Sequence, residues 1–197
     1  MTTELSHPRD RLLAAAYDVF ACDGVADGTM SKIARRAGVG RATLYRHFPG
    51  KDVLLEALVL REARELFAIL DTELGADEDS PSFFERGLLA SLGHLRTHTL
   101  LQRILREEPE SVLPFLTVQG APLLEAAIEF ATPYIERAVK AERIEPVDPR
   151  AAAEWAARIL LSLLLTPSVV VDLDDPEQLK TFVGWLPQAI QKRGGNG

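Results

Sequence analysis

Arg41, Thr43, Tyr45 and Arg46 crowd into one short stretch that has no acidic neighbour. An arginine can grip the O6/N7 edge of guanine, a threonine or alanine methyl can touch a thymine methyl, and a tyrosine can bond a phosphate oxygen. From Thr29 to Lys51 the chain carries six basic residues (Lys32, Arg35, Arg36, Arg41, Arg46 and Lys51) and no Asp or Glu. Such a patch suits a polyanionic backbone, whose affinity for protein comes chiefly from Lys and Arg replacing condensed counterions.

These side chains need a scaffold that turns one face of a short helix outward. The sequence predicts it. A helix from about Arg9 to Cys22 places Leu12, Leu13, Ala16, Tyr17 and Phe20 on one apolar face, with Gly24 as its C-terminal cap and Val25–Gly28 as a loop. Thr29 is a good N-cap for a second helix to about Ala37. Gly38-Val39-Gly40 makes a tight turn, and a third helix runs from Arg41 to about Phe48. Pro49-Gly50 ends it, and Lys51 opens a longer helix to about Leu74. Leu44 and Phe48 should face inward with Ile33, Ala37 and Val39. Arg41, Ala42, Thr43, Tyr45 and Arg46 are then left facing out, as in a helix-turn-helix whose second helix enters the major groove of double-stranded DNA. Thr29 and Lys51 open helices whose free N–H groups could hold phosphates. Lys32 and His47 complete the candidate contact set, although His47 beside Phe48 also reads as a packing residue. Arg35 and Arg36 read equally well as a solvated face.

The net charge of −7, taken over the whole chain, argues against this. Its distribution does not. Residues 1–51 carry eight basic and five acidic side chains, and the remaining residues carry fourteen and twenty-four. Screening confines the effect of charge to about 8–10 Å, so the local excess decides.

Thr29, Ile33-Ala34, Ala37-Gly38-Val39, Thr43-Leu44-Tyr45, His47-Phe48 and Lys51 together resemble the N-terminal signature of the TetR family of bacterial repressors, over about residues 10–57. Gly40 departs from the Ser often found there, and glycine caps nearly as well. The resemblance implies a homodimer, a helical C-terminal effector domain, and release from a palindromic operator when a small molecule binds. A cytoplasmic, ligand-responsive repressor is therefore expected. An activator, or a DNA-binding protein without an effector, fits the same residues.

The predicted fold is all-α: a three-helix head over 1–52, a connecting helix over 53–75, and an effector-binding and dimerisation domain over 76–197, about nine helices in all. An acidic linker follows Gly75, and Ser80-Pro81 reads as the start of the next helix. Further helices are expected to Arg96, over Leu100–Glu107, over about 110–119, over Gly120–Ala141 with a kink at Pro133, over 149–165 and over 176–191. The terminal GGNG is expected to be disordered.

The C-terminal half is rich in apolar residues, interrupted by His94, Phe115, Phe130, Tyr134 and Trp155. These either line a small-molecule pocket between helices or fill a solid core. Low polarity favours an apolar or aromatic effector over a sugar phosphate. Leu160, Leu161, Leu164, Phe182, Trp185, Leu186 and Ile190 give the last two helices more apolar face than one small domain needs, so they are the candidate dimer surface, with a four-helix bundle formed across a twofold axis. No nucleophile–base pair, phosphate loop or metal set is present, so no catalytic residue, cofactor or metal is expected. His94 and His98 share helical metal-ligand spacing but lack a third ligand. The single Cys22 excludes an intrachain disulfide. The N-terminus lacks the apolar run of a secretory signal, and Ile159–Leu165 is far short of the ~20 residues of a membrane span, so no membrane partner is expected.

Overall fold

The computed structural model describes residues 7–75, 83–173 and 175–188, which form ten helices and no strand. In chain order they are α1 (Pro8–Asp27), α2 (Met30–Arg36), α3 (Arg41–His47), α4 (Lys51–Gly75), α5 (Phe83–Thr97), α6 (Thr99–Glu107), α7 (Pro109–Leu116), α8 (Ala121–Lys140), α9 (Pro149–Leu165) and α10 (Pro176–Gln188). The acidic linker after Gly75, the Ser80-Pro81 helix start, Ile190 and the GGNG tail lie outside the described residues.

The chain divides into two compact units. One comprises Met1–Ala63 with Thr97–Leu123, and the other Arg64–Arg96 with Leu124–Gly197. These bounds differ from the expected divisions at 52 and 75, because compactness groups α6 and α7 with α1, α2 and α3.

In the first unit the α2–α3 turn forms for local reasons. Thr29 Oγ1 accepts the Lys32 N–H at 3.3 Å and starts α2. Gly38 takes φ 68°, which only a residue without a Cβ adopts cheaply, and lets the Val39 N–H reach the Ala34 carbonyl at 3.0 Å. The core closes around Leu12, Leu13, Phe20, Ile33, Leu44, Phe48, Leu54 and Leu58, each at most 2% exposed. Ala37 and Val39, expected inside, are half-buried.

Two elements differ from the sequence expectation. The first helix does not end in a loop at Gly24. That residue breaks it, with φ 83° and ψ 170°, and another helical turn runs on to Asp27. The cause is distant in sequence: the Glu108 carboxylate accepts the N–H groups of Val25 at 3.0 Å and Ala26 at 2.5 Å, and so starts that turn as a capping side chain would. The other difference is α7, which begins at Pro109 and ends at Leu116 with Pro114 in its last turn.

In the second unit α8 continues through Pro133 to Lys140. Ile128, Ile135, Ala138, Ile144 and Ala153 form a buried cluster. Asp148 caps α9 by accepting the Ala151 N–H at 2.7 Å, with Pro149 at the first helical position. Asp175 likewise accepts the N–H groups of Glu177 and Gln178 at the start of α10. Glu154 and Arg158 form an ion pair one turn apart on α9, at 2.6 Å.

Candidate nucleic-acid interface and ligand cavity

Helix α3 is held from below by Leu44 and Phe48, both fully buried. Its other face carries Arg41, Ala42, Tyr45 and Arg46, all exposed, with Tyr45 at 40%. Thr43 and His47 are half-buried at the edge. The Arg9 guanidinium lies 5.1 Å from the centre of the Phe48 ring, which ties the start of α1 to the end of α3. Among the described residues Arg41 and Arg46 form no ion pair, so their charge faces outward uncompensated.

Of the other four basic residues of the acid-free stretch, Arg35 is exposed and forms no ion pair among the described residues, and the remaining three are occupied. Lys32 pairs with Asp23 at 2.7 Å and Arg36 with Asp18 at 2.6 Å. Lys51 Nζ donates to the carbonyls of Val25 at 2.8 Å and Ala26 at 3.2 Å. Its side chain is thus structural, and the part of Lys51 left for a phosphate is the backbone at the start of α4. Thr29 has its hydroxyl engaged as a cap.

The end of α1 is a junction. Lys51 holds its last carbonyls, Glu108 holds the N–H groups after Gly24, and Arg103 donates to the carbonyl of Ala21 while its Nε meets Glu107 at 2.8 Å. The first turn of α4 and the α6–α7 corner therefore both fix the segment that leads into α2. Sequence reasoning missed Glu108 and Arg103. A carboxylate eighty residues from the N–H groups it caps leaves no periodic signal.

A second polar cluster lies in the same unit. His98 caps α6, with Nδ1 accepting the Leu101 N–H at 3.1 Å. Its proton therefore sits on Nε2, which meets Glu62 at 3.2 Å. Tyr17 packs edge-on against the histidine ring, with ring centres 6.3 Å apart. Burial pushes the Glu62 carboxyl up, but hydrogen bonds from His98 and Arg61 outweigh it and hold it below the ordinary carboxylate range. A carboxyl whose folded value lies below its unfolded one stabilises the fold above the unfolded value, about 4.3, and loses that contribution as pH falls through the folded value. Glu62→Gln is expected to lower the urea midpoint at neutral pH, with the gap from the parent protein closing as pH falls below about 4.3. A gap independent of pH would show that the charge is not what stabilises.

In the second unit a cavity of about 110 Å³ opens between α4, α5, α8 and α9. Phe67 and Phe130 stack in its wall, with ring centres 4.7 Å apart and planes 8° from parallel, and Tyr134 leans on Phe130 at 5.4 Å. Of the pocket residues expected from sequence, Phe130 and Tyr134 line this cavity and His94, Phe115 and Trp155 do not. His94 is tied to Glu73 at 3.1 Å, and Phe115 lies on α7 in the first unit. Trp155 is 44% exposed because Ala153 and Ala157, two positions away on either side, take the inward face of α9. Leu160, expected at the dimer surface, lines the cavity. Leu161, Leu164 and Phe182 are half-buried. Trp185 and Leu186 belong to α10, but their side chains, like Ile190, lie outside the described residues. The alanines facing the cavity, such as Ala127 and Ala157, went unnoticed because alanine in a helix carries no chemical signal. Among the described residues no cluster of His, Cys, Asp or Glu could hold a metal, and no single helix is long and apolar enough to cross a membrane.

A three-helix head presenting an exposed basic recognition helix defines a helix-turn-helix DNA-binding regulator, here joined to a helical C-terminal region. The sequence profile described as "Bacterial regulatory proteins, tetR family" matches residues 12–58, and that described as "Bacterial Tetracyclin repressor, C-terminal domain" matches residues 79–185. The chain belongs to the TetR family and is a DNA-binding transcriptional regulator. It is 35% identical over 168 residues to the uncharacterized HTH-type transcriptional regulator Rv1255c of Mycobacterium tuberculosis, covering 84% of this chain and 77% of that one. It is 38% identical over 74 residues to the HTH-type regulator SrpR of Pseudomonas putida, which covers 38% of this chain and only 35% of that regulator. Among solved structures, the TetR-family repressor AlkX from a Dietzia strain superposes with a TM-score of 0.73 at 23% identity, covering 95% of this chain and 99% of that one. RolR in complex with resorcinol superposes with a TM-score of 0.70 at 17% identity, covering 94% and 88%. At these identities the two structures establish the fold alone.

Proposed function

We propose that the chain is a ligand-responsive repressor that acts as a cytoplasmic homodimer and is released from a palindromic operator by a small apolar or aromatic effector. The observation that carries this reading is one chain holding both an outward basic face on α3 and an apolar cavity in its C-terminal unit. In each half-site Arg41, Ala42, Thr43, Tyr45 and Arg46 read base edges or phosphates from the major groove. His47 lies at the edge of that contact, Thr29 and Lys51 meet the backbone at helix starts, and Lys32 adds charge beside Asp23. Leu161, Leu164 and Phe182, with Trp185, Leu186 and Ile190, form the surface that meets the second copy.

An effector can shift the regulator only by its difference in affinity for the DNA-competent and DNA-incompetent arrangements. In vitro selection from random duplexes, read with the stoichiometry of the complex, tests the DNA half of the proposal. Two chains on a site with dyad symmetry are expected. A single chain on an asymmetric site would overturn the dimer reading. The effector half is tested by adding small molecules extracted from the purified protein to the complex. Release of DNA is expected, and unchanged DNA affinity with the cavity filled would overturn it.

A further inference from the structure

The cavity in the second unit is chemically one-sided. Of the residues lining it, only Ser91 and Tyr134 carry polar side-chain atoms, and no lining residue is charged. Both hydroxyl protons are already directed at protein acceptors. Ser91 donates to the Gly87 carbonyl at 2.6 Å, and Tyr134 donates to the Asp71 carboxylate. What the walls still offer a ligand is therefore acceptor capacity on a hydroxyl oxygen, and Ser91 is the more enclosed of the two, at 8% exposed.

This excludes ligand classes one by one. An anion would enter with no lysine, arginine or free hydroxyl proton to receive it, and desolvating an unpaired carboxylate costs far more than apolar contact returns. A cation would find no carboxylate among the lining residues. The Tyr134 ring is already engaged by the Arg137 guanidinium, 4.7 Å from its centre, and the faces of Phe67 and Phe130 alone do not replace the water an ammonium gives up. Size narrows the choice further. A dry apolar cavity of about 150 Å³ holds benzene, and this one measures about 110 Å³. One ring fits with slight movement of the walls, and two do not. Alanines at 127, 131, 153 and 157 and the stacked pair Phe67–Phe130 give the space flat sides.

We propose that the cavity takes a small neutral aromatic molecule, of benzene to cresol size, whose one polar contact is a hydroxyl donated to Ser91. The proposal rests on reading this cavity as the effector site. It is tested on the full chain by calorimetry with toluene, p-cresol, benzoate and benzylamine, on the parent protein and on Ser91→Ala and Ala127→Leu. Toluene and p-cresol are expected to bind, with benzoate and benzylamine at least about a hundredfold weaker. Ser91→Ala is expected to weaken p-cresol about fivefold and leave toluene unchanged, because only the cresol loses a hydrogen-bond acceptor. Ala127→Leu is expected to weaken both. Tight binding of either ion, binding of none of the four, or a Ser91→Ala effect equal for toluene and p-cresol would overturn the assigned chemistry. Xenon tests the cavity itself, independent of ligand chemistry, by shifting methyl resonances of the lining alanines and leucines. Unshifted methyls, or probes binding Ala127→Leu as tightly as the parent, would overturn the effector-site reading as well.

Discussion

Gly24→Ala is expected to destabilise the folded chain by about 2–6 kcal/mol, with two causes of similar size. The backbone at Gly24, φ 83° and ψ 170°, lies where side chains other than hydrogen are almost never found, and holding a residue there costs of order 1–3 kcal/mol. The added methyl would also collide with Oε1 of Glu108. Moving that carboxylate strips the Val25 and Ala26 N–H groups of their partner, at about 1–3 kcal/mol for the buried Val25 donor left unmet, whereas Ala26 is exposed and can turn to water. Urea unfolding measures the total, and a double-mutant cycle separates the parts. Glu108→Ala alone should cost about 1–3 kcal/mol. Adding Gly24→Ala to it should cost less than in the parent, because nothing remains to collide with. Strict additivity would show that the collision is not felt. The consequence for function follows from position. Gly24 and Glu108 set the direction of the turn that leads through Thr29 into α2, so Glu108→Ala should weaken DNA binding without removing any group that faces DNA.

The contrast between α3 and this junction shows what a sequence can disclose. The helix-turn-helix is a local object. Thr29 caps α2 three residues on, Gly38 supplies a positive φ, and Leu44 with Phe48 repeats at helical spacing. Each interaction spans a few residues, so pattern and chemistry coincide and the inward and outward sets follow. The Glu108 cap, the Arg103–Ala21 bond and the His98–Glu62 contact span 36 to 83 residues. Nothing in the local sequence marks them, and they change the end of α1 and the grouping of α6 and α7. The cavity fell between these cases. Aromatic residues suggested it and two of them line it, but its shape depends on alanines, whose contribution is the volume they leave empty.

The same geometry separates the basic residues by the kind of loss each substitution causes. Arg46 is exposed and forms no ion pair among the described residues, so Arg46→Ala should leave the urea midpoint almost unchanged. If it grips a base edge, each half-site loses about 1–3 kcal/mol of specific binding, and discrimination relaxes at one base position. If it meets a phosphate, affinity falls on all sequences and the salt dependence flattens by about one counterion per contact. Lys51→Met should behave in the opposite way. Its amine bonds two carbonyls at the end of α1, so removing it should lower stability first and DNA affinity only as the head loosens. Lys32→Ala frees Asp23 and thereby adds an uncompensated negative charge near the interface, so its effect should be strongest at low salt. Measuring stability and a salt series for all three variants distinguishes these roles. An Arg46→Ala protein with full affinity and an unchanged salt slope would remove Arg46 from the DNA contact and leave Arg41 as the exposed arginine of that helix that could still make it.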